Sequence, residues 1–215
     1  SGSNGKNNSI DGNYTKITDN GWHLNFKSSG NQSKTNSAIA DGTEEDAVQN
    51  ISTNLNAEKW INDNIKFKTT LYSRKTVSDY DGSATDETGY LIDNRLHVFQ
   101  TGIERISKNI QDSLTFHYNK YDREYENGGY LDEFDSETLV AKAERKIKST
   151  DKLSFGYGSE YKYDWGAFED RGSYTASTKG HIKNMGLFGN VGYKFSEYTI
   201  LSLYGRIDNH KTTGT

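Results

Sequence analysis

About ten stretches of this chain alternate apolar and polar residues with a period of two. A β-strand points successive side chains to opposite faces, so each stretch reads as a strand with one apolar face and one wet face. The pattern is cleanest late in the chain. Leu153, Phe155, Tyr157, Tyr161 and Tyr163 are set against Ser154, Gly156, Gly158, Glu160 and Lys162, and no helix produces that period. Met185, Leu187, Val191, Tyr193 and Phe195 follow on one face, and after a turn at Ser196 and Glu197 so do Leu201, Leu203 and Ile207.

The strands group into five hairpins. Tight turns are expected at Asp19, Asn20 and Gly21, at Asn62, Asp63 and Asn64, near Lys108 and Asn109, at Thr150 and Asp151, and at Ser196 and Glu197. Asn-Gly at 20–21 supplies the positive φ that tight hairpins need. Between hairpins the polar stretches 34–47, 78–92, 126–135 and 164–179 read as long loops. Short turns at one end and long loops at the other are the wiring of an all-β, antiparallel up-and-down transmembrane β-barrel, with short periplasmic turns and long extracellular loops.

Mean hydropathy is −0.93 and no apolar run approaches the roughly 18 residues of a membrane helix. A membrane strand needs only about 9–11 residues, alternate ones facing lipid, so low hydropathy does not exclude this fold. The chain has no proline and 15 tyrosines, as suits long paired strands. No cysteine is present, which removes disulfides and thiolate metal sites. A net charge of −4 gives no reason to expect nucleic acid. Trp22, Trp60, Phe195 and Tyr198 lie beside short turns, where an aromatic girdle meets the bilayer interface, and Lys16 and Arg145 on the lipid face are near turns too, within reach of the headgroups.

The stretch NMGLFGNVGYKFSEYTILSLYGRIDNHKTTG, with its strand, short turn, strand and Arg-x-Asp-Asn, resembles the barrel of TonB-dependent outer-membrane receptors, the vitamin B12 receptors in particular. The likeness runs more loosely through all the hairpins. It implies a bacterial outer-membrane location, a 22-stranded barrel with an N-terminal plug, and import of a scarce nutrient such as cobalamin or a siderophore with energy delivered by the TonB protein. On that reading residues 1–215 are a barrel segment of about ten strands within a larger receptor, in contact with outer-membrane lipid, with the plug outside it. Two other classes fit the alternation. One is a small closed outer-membrane barrel acting as a porin, or as a protease with His181 and nearby loop acids at its rim; the other is a soluble extracellular β-sheet binding protein, whose apolar face a second sheet must cover.

Tyr80, Tyr90, Tyr130, Trp165, Phe168 and Tyr174 fall in the expected loops and are candidates for ligand contact at the outer mouth, because tyrosine and tryptophan present rigid amphipathic area. Asp79, Asp81 and Asp86 form an oxygen-rich cluster that calcium would suit, though the spacing lacks the full calcium-loop pattern and favours a solvated acidic loop. The five histidines, His23, His97, His117, His181 and His210, lack zinc-site spacing. No nucleophile elbow is visible, and Gly156 and Gly158 sit in a strand rather than before a helix. No catalytic residue or cofactor beyond calcium is expected.

Overall fold

The computed structural model describes residues 5–36, 45–81, 89–127, 129–172 and 176–214, with only the backbone described at Thr35, Asn36, Glu45, Tyr80 and Asp81. Ten strands follow one another: β1 (Lys6–Ile17), β2 (Trp22–Asn36), β3 (Glu45–Asn62), β4 (Ile65–Asp81), β5 (Gly89–Ile106), β6 (Ile110–Asn127), β7 (Tyr130–Lys148), β8 (Leu153–Asp170), β9 (Ala176–Lys194) and β10 (Ile200–Gly214). They form one antiparallel sheet in which every strand pairs with its sequence neighbours, from β1 at one edge to β10 at the other. All five expected tight turns are present. Gly21 takes φ +82° and closes the first turn through its N–H to the Thr18 carbonyl at 2.9 Å.

The register lines the apolar residues up on one side. Tyr14, Phe26, Leu55, Leu71, Phe99, Tyr118, Leu139 and Tyr163 are successive cross-strand partners in a single row. A parallel row runs Trp22, Lys59, Phe67, Ile103, Leu114, Ala143, Ser159, Leu187 and Ile207. Nothing covers this outward face: no apolar side chain among the described residues is buried, and Leu114, Leu187 and Ile207 are 60%, 59% and 79% exposed. A contiguous apolar surface of this size is untenable in water and suits hydrocarbon.

The second row also measures the strand tilt. Trp22 opens β2 whereas Ile207 is the eighth residue of β10, so the row climbs seven residues in eight strand-to-strand steps. At about 3.3 Å per residue and about 4.8 Å per strand this is a tilt of roughly 30°, close to that of outer-membrane barrels. Charge brackets the apolar band. Arg105, Asp112 and Arg145 are partners in one outward row, and Arg95, Asp122 and Asp135 in another ten residues along each strand. Ten residues at that tilt span roughly 28 Å, against an apolar band of about 25 Å in known barrels.

The inward face is mainly polar. Thr76 donates to Asn50 at 2.6 Å, Thr70 to Asn56 at 2.8 Å and Thr138 to Asp164 at 2.7 Å, while Lys66 pairs with Glu58 at 2.8 Å and Arg206 with Glu160 at 2.8 Å. Each strand thus carries polar cross-strand bonds on one side and lipid-compatible surface on the other.

At the end opposite the tight turns the strands run further than the hydropathy pattern suggests. Residues 78–81 and 89–92 belong to β4 and β5, 130–135 to β7, and 164–170 and 176–179 to β8 and β9. The connections left between strands there are 37–44, 82–88, 128–129 and 171–175. Beyond the apolar band alternation disappears while pairing continues, now with ion pairs beside the backbone ladder. Lys75 and Arg95 reach Asp93 at 2.9 and 2.8 Å, Lys120 reaches Asp122 at 3.0 Å, and Arg171 reaches Glu133 at 3.0 Å and Glu169 at 3.3 Å. Each such exposed pair contributes only about 0.2–1 kcal/mol, so the extension rests mainly on its backbone ladder. Burial alone would raise the Asp93 carboxyl, but the bonds from Arg95 and Lys75 outweigh it and hold the group below its usual value.

Candidate functional site: an inward aromatic groove at the outer end

Strand parity decides which of the extended segments face the interior. On β6 the residues Tyr121, Arg123 and Tyr125 alternate with the outward Lys120, Asp122 and Glu124. Their inward cross-strand partners include Asn94 beside Arg123 on β5 and Phe134 beside it on β7; Phe134 in turn pairs with Phe168 on β8. Tyr121, Arg123, Tyr125, Asp132, Phe134 and Phe168 line a hollow of about 470 Å³, within the range of small-molecule sites.

The rings are held in place. Tyr121 and Phe134 are 6.1 Å apart at 59°, and Tyr90 stacks on Tyr125 at 6.1 Å and 29°. Tyr121 also donates its hydroxyl proton to the Asn94 side-chain oxygen at 2.7 Å. Below Phe168 the inward row is small, with Ser136, Gly166 and Gly180 in register, which leaves room beneath the rings. Arg123 makes no ion pair among the described residues, so its five donors are available in a site walled by π-faces. Asp132 and Asp170 are direct cross-strand partners just above, and they limit the site's net positive charge. The arrangement suits a planar or ring-bearing solute carrying an anionic or carbonyl edge.

Of the residues expected at the mouth, Tyr90 and Phe168 belong to this groove. Tyr130 opens β7 with the same inward parity, and its ring lies where a Cβ on Gly172 would come within 2.7 Å. The backbone of Tyr80 pairs with Tyr90. Trp165 is elsewhere: it pairs with Glu137 and His181 on the outward face, on the other side of the sheet. Tyr174 and Asp86 lie outside the described residues. Asp79 and Asp81 are in β4 rather than a loop, and Asp79 has outward parity. His181 also has outward parity, its ring 5.8 Å from that of Tyr163. Tyr121, Arg123, Tyr125 and Phe134 are the groove residues that hydropathy does not single out.

No protein-family model matches the chain, and no curated protein matches its sequence significantly. Solved structures do. The outer membrane transporter YddB from Escherichia coli superposes with a TM-score of 0.76 at 12% identity, over 97% of this chain and 35% of that one. The copper transporter OprC gives 0.66 at 12%, over 99% and 37%. The ferric-catecholate import receptor Fiu from E. coli K12 gives 0.62 at 8%, over 99% and 55%. The chain spans about a third of the length of the first two. Its ten strands have the fold of part of the wall of an outer-membrane transporter barrel.

Proposed function

We propose that this chain is part of the barrel wall of a TonB-dependent receptor in a bacterial outer membrane, and that the receptor imports a scarce small-molecule nutrient captured at the inward groove. One observation carries the reading: a single sheet with an uncovered apolar band outside and a hydrogen-bonded polar face inside, the groove lying at the end away from the tight turns. Such a sheet separates lipid from a wet passage and places binding groups at its outer entrance. The neighbours named for copper transport and ferric-catecholate import support uptake as the task. The Arg123 guanidinium, among rings and without an ion pair among the described residues, supports a chelate or other ring-bearing anion as the cargo; cobalamin is a second cargo of similar breadth. Energy from the TonB protein, reaching the barrel through a plug, completes the scheme.

The test is uptake of radiolabelled ferric chelates, copper and cobalamin by cells that carry or lack the parent gene, with Arg123→Ala and Phe168→Ala as site variants. Loss of one uptake activity on deletion, and its weakening in both variants while the protein stays in the outer membrane, is the expected result. Unchanged uptake of all three cargoes contradicts the reading.

A further inference from the structure

Outward-facing charge at the tight-turn end is almost all positive. Lys16, Lys59, Arg105 and Arg145 have outward parity there, and Asp112 is the one outward strand acid among the described residues at that level. Asp112 is shared. Arg145 donates Nε–H and Nη2–H to its two oxygens at 2.5 and 3.2 Å, and Arg105 reaches it from the other side. A guanidinium has five N–H groups, and the side chains of Arg105 and Arg145 remain 52% and 41% exposed, so donors and one net positive charge are left at the edge of the apolar band.

A hollow of about 460 Å³ adjoins Arg145 and the Asp112 it shares with Arg105, lined further by Tyr157, Ala143, Ser159 and Leu187. Its origin is in the register: Ala143 and Ser159 stand side by side between Leu114 and Leu187 in one row, and Ala141 continues the low ground along β7 between Phe116 and Tyr161. A trough with apolar walls runs into the membrane from a cationic head.

We propose that this is a binding site for one anionic phospholipid, its phosphate held by Arg105 and Arg145 and one acyl chain lying in the trough over Ala143 and Ala141. The inference rests on the membrane-barrel reading above. A neutral lipid fills the trough equally well but gains less from the arginines. Lys16 and Lys59, with Lys59 Nζ 5.6 Å from the Trp22 ring centre, continue the cationic belt towards β1.

The experiment uses the full-length parent protein reconstituted in phosphatidylcholine vesicles, with spin-labelled phosphatidylglycerol or phosphatidylcholine as the probe. Quenching of tryptophan fluorescence by brominated lipid reports insertion independently. The expected result is a preference for phosphatidylglycerol that falls by up to about fivefold for each charge removed in Arg105→Gln and Arg145→Gln, and that shrinks at high salt. Ala143→Phe, which keeps every charge, lowers immobilisation of both labels, and Asp112→Asn raises the phosphatidylglycerol preference. An inserted protein with no such preference, or one unchanged in these variants, overturns the site. Failure to insert overturns the barrel reading and the site together.

Discussion

Phe116→Arg places a charge near the middle of the apolar band, and its cost follows from the register. Phe116 is four residues from Asp112 and six from Asp122, the two charged rows that bound the band on β6, so at the observed tilt it sits about 11 Å above the lower row. Arginine at that depth costs about 2–4 kcal/mol. The substitution also removes the ring contact with Phe99 at 6.1 Å, worth about 0.5–1.5 kcal/mol. The sum is roughly 3–5 kcal/mol, beyond a hundredfold in the folding constant. Thr115→Arg, one residue away and inward, meets water and is expected within about 0.5 kcal/mol of the parent. Urea titration of the vesicle-folded protein, read by tryptophan fluorescence and by heat-modifiable gel mobility, measures both. Equal costs at 115 and 116 would refute the reasoning.

Gly158→Ala puts a Cβ 2.3 Å from the Ala143 carbonyl oxygen and 2.5 Å from Phe188, so the same titration should show a loss of about 1–3 kcal/mol, whereas Gly205→Ala, with nothing within 4 Å, should be nearly neutral. Gly21→Ala, at φ +82°, should cost about 1 kcal/mol through the left-handed backbone; a neutral result contradicts the turn geometry. The lowered Asp93 carboxyl stabilises the folded extension above its usual value near pH 4, and that contribution is lost as pH falls through the lower folded value. Amide protection factors, which divide out the intrinsic pH dependence of exchange, should therefore fall at the outer ends of β4 and β5 as pH drops below about 4 in the parent but change less in Asp93→Asn; identical pH dependence in the two proteins counts against the clasp.

Strands and turns inside the bilayer were legible because lipid on one side and water on the other impose a period of two. Leu201, Leu203 and Ile207, or Leu153 to Tyr163, could hardly be read otherwise. Above the bilayer that constraint lapses. The segments 126–135 and 164–179 carry Asp, Glu and Gly and look like loops, yet most of their residues pair in β6 to β9. Asp132, Phe134 and Phe168 of the groove lay in these segments, and Tyr121, Arg123 and Tyr125 in the polar end of β6 just before them. A usable signal was nevertheless present: Tyr121-x-Arg123-x-Tyr125 keeps the parity of the inward His117 and Asn119, and Trp165 keeps that of the outward Tyr161 and Tyr163. Counting parity through the polar stretch puts Phe168 inside and Trp165 outside. Closeness in sequence groups them wrongly.

The arginine trough was not legible at all. Arg145 is recognisable as a lipid-face charge near a turn, but its partners Asp112 and Arg105 are 33 and 40 positions away and meet only through strand pairing. The two alanines of β7 form low ground only because Leu114 and Phe116 on one side and Tyr161 on the other stand higher.

Because the chain has no cysteine, single cysteines can be placed one at a time along β6 and read without background. In outer membranes, cysteines at Ser113, Thr115 and His117 should react with a water-soluble maleimide, and those at Leu114, Phe116 and Tyr118 only with a lipid-soluble one. Alternation over these six positions confirms a strand with lipid on one side and an aqueous passage on the other. Uniform reaction of both sets with the water-soluble reagent would contradict the barrel and everything built on it.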